Sequence, residues 1–159
     1  MCGIFALLNN KHSDTKRVQE SFKKGKDRGP ENSKFIDLPS IHCSLGFHRL
    51  AINGVDDENS NQPFYSKDKK INLFYNGEIY NFKELKEEYF PNSIFRSVGD
   101  GEVLLHLYQK FGIEFIKKVK GMYSIVICDE INNTTFLIRD RFGIKPLYYF
   151  HDKKNKELS

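Results

Sequence analysis

Cysteine is scarce in this sequence, and tryptophan is absent from it. The 159 residues include three cysteines, Cys2, Cys43 and Cys128. An odd number of cysteines in a chain of this length does not indicate the disulfide framework of a small secreted domain. The sequence also has no C-x-x-C and no H-x-x-x-H pair, the spacings that typically hold zinc. We therefore expect neither a disulfide-stabilised domain nor a metal site.

Long hydrophobic runs are missing as well. No stretch approaches the ~20 apolar residues that are needed to span a membrane. The apolar run at residues 4–8 is too short for the core of a signal peptide, and no basic region precedes it. We expect a soluble cytoplasmic protein, in a reducing compartment and without a membrane partner.

The charge balance argues against nucleic-acid binding. The net charge is +4, and the lysine clusters at residues 23–28 and 153–157 include acidic residues. No RNP motif, zinc-finger spacing or continuous basic stripe accompanies them, so we interpret them as solvated surface and a frayed tail. The hydrophobic content of 39%, with 14 Phe and 8 Tyr, is sufficient for the core of one domain.

Hydrophobic periodicity predicts several strands and a few helices. Strands are predicted at 4–8, at 41–47, on both sides of a turn in 121–140, at 145–150, and as two short strands around Asn76–Gly77. Helices are predicted at 13–26, 81–89 and 99–112, with caps at Ser13 or Asp14, at Asn81 with Glu84 as its capping-box partner, and at Gly112. This mixture is typical of an α+β layered domain.

The strand pattern in residues 41–52 changes phase. Apolar residues up to Phe47 occupy odd positions, whereas Leu50 and Ile52 occupy even ones. Because a period-2 pattern changes phase only at a bulge or a break, we expect a break near His48 and Arg49. The planar guanidinium of an arginine beside apolar surface suits a carboxylate, and a strand-end arginine with its charge in water is an equal alternative.

The second residue of the chain is Cys2, and methionine before a small residue is usually removed after synthesis. Cys2 would then carry a free α-amine with a pKa of about 7.7–8.0, which is far more available as a base at neutral pH than a lysine. A terminal nucleophile that is activated by its own amine is one interpretation. Position alone favours the alternative, a small apolar residue at a strand start, and core packing also explains Cys43 and Cys128.

Three polar positions have both a structural and a functional interpretation. Asn76–Gly77 is the commonest hairpin signal, but an Asn amide and a Gly N–H can together stabilise an oxyanion. Glu78 would be a plain strand residue in the first case. Asp100 is a natural N-cap for the helix that follows it, although a carboxylate there could receive a substrate ammonium.

The order of the motifs along the chain is more specific than any one of them. The sequence contains, in this order, CGIF, RGPEN, HRLAI, YNGEIYN, GDGEV, GMYSIVICD and RDRFGIKPLYY. This series resembles the class II, N-terminal nucleophile, glutamine amidotransferase domain over essentially the whole chain. NGEIYN and RDRFGIKPLYY make it most similar to the glutaminase half of asparagine synthetases, rather than to the phosphoribosyl-amine or glucosamine-phosphate branches.

The resemblance implies a four-layer αββα sandwich and a glutaminase reaction. Cys2 would attack the side-chain amide of L-glutamine, and its freed amine would be the base. Asn76 and Gly77 would form the oxyanion hole. Ammonia would leave, and water would hydrolyse a γ-glutamyl thioester to glutamate.

The resemblance also implies how glutamine is bound. Arg49 would bind the α-carboxylate, and Glu78 and Asp100 would bind the α-ammonium. Backbone groups of a short segment would help them, namely Leu50, Ala51, Ile52 and Asn53. The RDRFGIKPLYY and DRGP motifs are interpreted as structural, the second as a positioning loop.

The sequence departs from the family pattern in two places. GDGEV stands where the family often has a Ser-Asp pair followed by Cys or Thr, and the chain stops soon after PLYYF. We therefore expect a domain that spans residues 1–159, is incomplete at its C-terminal end, and has a partner or a homodimer covering the exposed edge.

No synthetase domain or ATP motif is recognised in the sequence. The glutaminase reaction itself needs no cofactor, and ATP and Mg²⁺ are expected only in a missing synthetase domain or partner that accepts ammonia. A non-catalytic remnant or interaction module, which keeps the fold without the reaction, is the alternative to an enzyme.

Overall fold

The computed structural model describes residues 2–11, 13–52, 54–154 and 156–159. Within these residues, the strands form two antiparallel sheets. Sheet A has the strand order β2-β3-β1-β9-β8, and sheet B has the order β4-β5-β6-β7. The strands of sheet A are β1 (Gly3–Leu8), β2 (Asn32–Leu38), β3 (Cys43–Arg49), β8 (His151–Asp152) and β9 (Glu157–Leu158). Those of sheet B are β4 (Phe64–Tyr65), β5 (Ile71–Ile79), β6 (Gly121–Asp129) and β7 (Thr134–Arg139).

Helices cover the outer face of each sheet. They are α1 (Thr15–Lys23), α2 (Phe82–Tyr89) and α3 (Glu102–Phe111), with short 3₁₀ helices at Lys26–Arg28, Pro39–Ile41, Glu58–Ser60 and Gly112–Lys117. Phe22 of α1 stacks on His48 of sheet A, with the ring centroids 4.0 Å apart. Apolar residues of α3 pack with those of sheet B in one buried cluster.

The inner faces of the two sheets pack on each other. Alternation in β3 directs Cys43, Leu45 and Phe47 inward, where they meet side chains of sheet B, chiefly Phe74 and Val126. The order of layers is therefore helix, sheet, sheet, helix. The predicted four-layer αββα sandwich is confirmed.

The helix predictions hold better than the cap predictions. Asp14 caps α1, because its carboxylate accepts a hydrogen bond from Lys16 N at 2.9 Å. Asn81 precedes α2 as expected, but its side chain bonds Lys118 O and Lys120 N, so the predicted capping box is wrong. Gly112 ends α3 in the left-handed region, as expected.

Three expectations about strands and the tail are wrong. Residues 71–79 form one continuous strand that pairs with β6 along its whole length, and there is no hairpin at Asn76–Gly77. Residues 145–150 form no strand, and Tyr148, Tyr149 and Phe150 are exposed. The tail is not frayed, because β8 and β9 pair with each other and Leu158 pairs with Leu8.

No helix in the described part of the chain is long and apolar enough to cross a membrane.

Candidate active site

A pocket opens at one end of the space between the sheets. The nine described residues that the sequence predicted as site residues all line it: Cys2, Arg49, Leu50, Ala51, Ile52, Asn76, Gly77, Glu78 and Asp100. The tenth, Asn53, lies outside the described residues. Cys2 and Asp100 are 98 positions apart in the sequence, so the tertiary fold, and not local sequence, brings these residues together.

Strand alternation explains why Cys2 meets Asn76. Cys2 precedes β1 and shares the inward face with Ile4 and Ala6, and Asn76 shares the inward face of β5 with Phe74. The backbone nitrogen of Cys2 donates a hydrogen bond of 3.1 Å to Asn76 Oδ1. This contact joins the two sheets at the pocket.

The Cys2 thiol lies against the backbone of Leu50. Leu50 N–H donates to Sγ at 3.5 Å, and the thiol donates to Leu50 O at 3.4 Å. Burial raises the pKa of the Cys2 thiol above its ordinary value, although hydrogen bonding to Leu50 and the positive charge of Arg49 oppose the increase. The sulfur is therefore a protonated thiol at neutral pH, and a base is needed before it can attack a substrate.

The raised pKa predicts slow alkylation of Cys2 at neutral pH. Because less thiolate is present than in an unperturbed cysteine, the rate constant with iodoacetamide at pH 7 should be below that of an unfolded peptide of the same sequence. It should still be rising with pH at about pH 9. The measurement uses intact mass of the chain that retains Met1, with Cys2→Ala as the control for labelling elsewhere. A rate that levels off near pH 7 would contradict the prediction.

The amide of Asn76 has a defined orientation. Since Cys2 N carries hydrogen, the atom that faces it must be the acceptor Oδ1, and Nδ2 points the other way. No described residue accepts a hydrogen bond from Asn76 Nδ2, although the residue is buried. A carbonyl oxygen bound beside Cys2 could take this donor, so the amide is suited to stabilise an oxyanion.

Gly77 follows Asn76 in a conformation that side chains rarely adopt. Its φ is +155°, and a Cβ there would lie 1.9 Å from Met122 O and 2.7 Å from Tyr123 Cα. Only glycine lets β5 approach β6 this closely while it carries Asn76 into the pocket.

Gly77→Ala should therefore destabilise the domain strongly. The clash is with backbone atoms that cannot move aside, so we expect a loss of more than about 3 kcal/mol in the free energy of unfolding. Urea denaturation measures this loss. Gly112→Ala is the matched control: its φ is also positive, at +58°, but a Cβ there meets no atom within 4 Å. That control should cost about 1–3 kcal/mol from backbone strain alone, and equal losses would contradict the steric argument.

Arg49 ends β3 with its charge in the pocket wall. It is 7% exposed, and its guanidinium donates to Asn61 Oδ1 at 3.0 Å and to Gly54 O. Both acceptors are neutral, and within the described residues Arg49 makes no ion pair. A buried cation with neutral partners is suited to a carboxylate ligand, because opposite charge offsets the cost of burial.

Asp100 also lines the pocket. It is 2% exposed and accepts hydrogen bonds of 2.6 Å from Tyr75 Oη and from Ile79 N. The interpretation of Asp100 as an N-cap is wrong, because Gly101 occupies that position without a side-chain bond. Tyr75 and Ile79 instead fix the carboxylate against β5. Burial raises the pKa of Tyr75, and the negative charge of Asp100 raises it further.

The second carboxylate of the pocket belongs to Glu78. Its side chain is partly buried and accepts no hydrogen bond from the described residues. Together with Asp100 it brings negative charge to the pocket, while Arg49 and Lys145 bring positive charge. Charges of both signs match the two ends of a free amino acid.

A family model for the glutamine amidotransferase domain matches residues 1–159. The chain belongs to this family. The same assignment explains the geometry above, since a pocket lined by an arginine, a lysine, two carboxylates and a cysteine is suited to a small zwitterionic amide.

Relatives of the glutamine amidotransferase domain include asparagine synthetases from several kingdoms. The chain is 38% identical over 154 residues to asparagine synthetase [glutamine-hydrolyzing] 2 of Bacillus subtilis (strain 168), covering 94% of the chain and 20% of that protein. It is 41% identical over 155 residues to the enzyme of Triphysaria versicolor, covering 93% and 25%. The chain thus spans a fifth to a quarter of these curated relatives, and the predicted resemblance to asparagine synthetases is confirmed.

A solved structure supports the fold of the amidotransferase domain. Glutamine phosphoribosylpyrophosphate (PRPP) amidotransferase from B. subtilis, complexed with ADP and GMP, matches with a TM-score of 0.79. The match covers 99% of this chain and 41% of that one, at 19% sequence identity. At this identity the likeness establishes the sandwich architecture and nothing further.

Several residues of the pocket were not recognised from the sequence. They are Phe47, Ser60, Gln62, Phe64, Tyr75, Gly99, Gly101 and Lys145. Gln62 holds β5 from the side, because it accepts from Tyr75 N at 2.6 Å and donates to Tyr75 O at 2.9 Å.

Lys145 belongs to the RDRFGIKPLYY motif, which was interpreted as purely structural. Its neighbours in sequence are apolar, and a lone lysine among them was the available signal.

The DRGP loop lies where a positioning loop should. Glu31, which follows it, accepts a hydrogen bond of 2.7 Å from Ala51 N, and Glu31 N donates to Arg49 O at 3.2 Å. These contacts fix the backbone of Leu50 next to Cys2.

Across the described parts of the chain, no group of three or more His, Cys, Asp or Glu is arranged to hold a metal ion.

Proposed function

We propose that this domain hydrolyses the side-chain amide of L-glutamine to glutamate and ammonia through a γ-glutamyl thioester on Cys2, after removal of Met1. The observation that supports this most strongly is the contact between Cys2 N and Asn76 Oδ1, 3.1 Å long, in a pocket that also contains the thiol. The nucleophile and the base would then both belong to Cys2, and an oxyanion donor would belong to Asn76, which contacts Cys2 in the pocket.

In this proposal the charged residues bind the amino-acid end of glutamine. Arg49 binds the α-carboxylate through two parallel N–H donors, while Glu78 and Asp100 accept from the α-ammonium. Backbone groups of residues 50–52 add further contacts, and the role of Asn53 stays a prediction. Binding at both ends directs the side-chain amide towards Cys2.

Acylation begins with transfer of the thiol proton to the neutral α-amine of Cys2. The sulfur attacks the amide carbon, and the oxyanion is stabilised by Asn76 Nδ2 and by Gly77 N–H. The ammonium of Cys2 then returns its proton to the leaving nitrogen, so the C–N bond breaks and ammonia departs. Asn76 Oδ1 holds the amine in place through both proton transfers.

Deacylation uses the same groups in the same roles. The α-amine takes a proton from water as the oxygen attacks the thioester carbon, and the same donors stabilise the second oxyanion. The C–S bond breaks, the sulfur regains its proton from the ammonium, and glutamate leaves. No metal or organic cofactor enters these steps.

We further propose that the ammonia supplies an asparagine-synthetase-like system. The support is the naming of the relatives, of which this chain covers a fifth to a quarter. ATP and Mg²⁺ would act only in a synthetase domain or subunit, and a homodimer and a cytoplasmic location stay predictions.

The decisive experiment measures both products from glutamine. Purified chain that begins with Cys2 should release ammonia and glutamate in a 1:1 ratio, and hydroxylamine should trap γ-glutamyl hydroxamate from the thioester. Asparagine as substrate is the matched control, because its side chain is one methylene shorter and its amide cannot reach Cys2 when both charged ends are bound. Folded, trimmed protein that releases no ammonia would contradict the proposal and leave the non-catalytic alternative.

The α-amine makes a separate prediction. A chain acetylated on Cys2 N should lose about 10²–10⁴-fold in turnover, because an amide nitrogen cannot act as a base. The unmodified chain should become more active between about pH 7 and 8, where the amine loses its proton. Equal turnover before and after acetylation would exclude this base.

A further inference from the structure

Two buried thiols face each other across the two sheets. Cys43 Sγ of sheet A lies 3.3 Å from Cys128 Sγ of sheet B, although the residues are 85 positions apart in sequence. Cys43 is 1% exposed and Cys128 is fully buried. The mechanism proposed above uses neither of them.

The strands around this pair leave little freedom for the sulfurs to separate. Both residues lie on inner strands, since β3 is flanked by β1 and β2 and β6 is flanked by β5 and β7. Ser40 donates a hydrogen bond to Glu130 at the same end, which joins the β2–β3 connection to the β6–β7 turn. The register on each strand therefore holds the thiols opposite each other.

The environment makes the two thiols unequal. Hydrogen bonding with Cys43 lowers the pKa of Cys128, and a hydrogen bond with Thr135 Oγ1 acts in the same direction, although burial opposes both. The shared hydrogen bond and burial raise the pKa of Cys43. The additional hydrogen bond with Thr135 favours the thiolate on Cys128, so we assign the first step to Cys128 and the second to Cys43.

From this geometry we infer that Cys43 and Cys128 are a redox modification site, which hydrogen peroxide converts to a reversible disulfide between the two sheets. A buried bond between sheets is also how immunoglobulin sandwiches are cross-linked, so the architecture accommodates it. The sulfurs need to approach by only about 1.3 Å to reach a bonded distance of about 2.0 Å. Because both are buried, peroxide reaches them during local opening, and formation is slow.

The chemistry needs one peroxide per disulfide. The Cys128 thiolate attacks one oxygen, the O–O bond breaks, and the leaving hydroxide takes up the proton that the thiol gave up, forming water and a sulfenic acid. The Cys43 sulfur then attacks the sulfenic sulfur. The S–S bond forms, the S–O bond breaks, and the departing hydroxide takes the Cys43 proton as a second water. The thiols lose two electrons, and peroxide gains them.

The disulfide would stabilise the pocket without entering it. Cys43 begins β3 and Arg49 ends it, so the two are about 20 Å apart along the strand. Cys128 pairs with Asn72, four residues before Asn76 and about 13 Å away along β5. The bond therefore ties sheet A, next to Cys2, to sheet B, which carries Asn76, from the far end of the shared core.

The test uses the full chain with Cys2→Ala, so that the third cysteine, which lines the pocket, does not react. After hydrogen peroxide treatment of the folded protein, the intact mass should fall by about 2 Da, as two hydrogens are lost. A non-reducing digest should contain one peptide pair that joins Cys43 to Cys128. The Tm should rise by about 5–10 °C and return to its starting value with dithiothreitol, because the bond closes a long loop.

Single variants keep the test interpretable. Cys43→Val and Cys128→Val remove one partner each, and neither should show the mass loss or the reversible rise in Tm. If the valine variants fold poorly, alanine at the same positions serves the same purpose. Thiols that stay reduced, that oxidise separately to sulfinic acids, or that join only in denaturant would overturn the inference. Each result is independent of whether the domain hydrolyses glutamine.

Discussion

Cys2→Ala is expected to abolish the release of ammonia from glutamine, with a loss of at least ~10³-fold in turnover. The variant removes the sulfur that forms the thioester, and no other described thiol lines the pocket with Arg49 and Asn76. Its α-amine can still form after removal of Met1, since alanine is also small. The measurement is coupled detection of ammonia at saturating glutamine.

Two comparisons separate chemistry from folding. Cys128→Ala removes a thiol from the buried core, far from the pocket, and should lower the Tm while it leaves turnover within about twofold. Cys2→Ala should keep a near-native Tm and still bind glutamine, which isothermal calorimetry can measure. Ammonia release by Cys2→Ala at more than a few per cent of the normal rate would exclude Cys2 as the nucleophile.

Arg49→Ala is expected to lower kcat/KM for glutamine by ~10²–10³-fold, which corresponds to one lost buried contact between opposite charges. Arg49 is 7% exposed and its guanidinium has only neutral partners among the described residues, so the substrate carboxylate would supply the missing negative charge. Most of the loss should be in KM, because the carboxylate is bound equally in the ground state and the transition state. Steady-state kinetics over a wide range of glutamine concentrations measures it.

Variants of Arg49 and of one surface arginine complete this experiment. Arg49→Lys keeps the charge but loses the parallel pair of donors, so its loss should be intermediate. Arg17→Ala removes an exposed arginine of α1 and should change neither KM nor Tm appreciably. Glutamine-dependent kinetics that are unchanged in Arg49→Ala, with intact folding, would rule out the proposed carboxylate contact.

The sequence predicted the layers better than their connections. Alternation in β3, the strand, turn and strand of residues 121–140, and the apolar stripe of α3 are local patterns, and each was recognised correctly. β2 was missed because it is an edge strand whose first three residues, Asn32 to Lys34, are polar and exposed. Residues 145–150 have a strand-like composition, but their aromatic side chains remain exposed, and only Phe150 exchanges backbone hydrogen bonds with another segment of the described chain, at Ser159.

Asn76–Gly77 shows where local rules fail. The dipeptide favours a type I′ turn when strands must reverse, but β6 lies beside β5 over its whole length and supplies the hydrogen bonds of a continuous ladder. The positive φ of Gly77 then serves close packing against Met122 and not a turn. Asp100 fails as an N-cap for a similar reason, because Tyr75 Oη and Ile79 N, which the tertiary fold brings to it, each donate to one of its two carboxylate oxygens.

The sequence by itself determined the identity of the chemical groups: a cysteine next to the initiator methionine, an arginine at a phase break, an Asn-Gly-Glu triplet and an aspartate before a helix. Tertiary structure alone decided that these groups share one pocket, that Cys2 N bonds Asn76, and that Cys43 faces Cys128. Local patterns record which face of a strand is apolar, and that is enough to predict layers. Contacts between residues of different strands depend on register and on the packing of two sheets, which no single segment encodes.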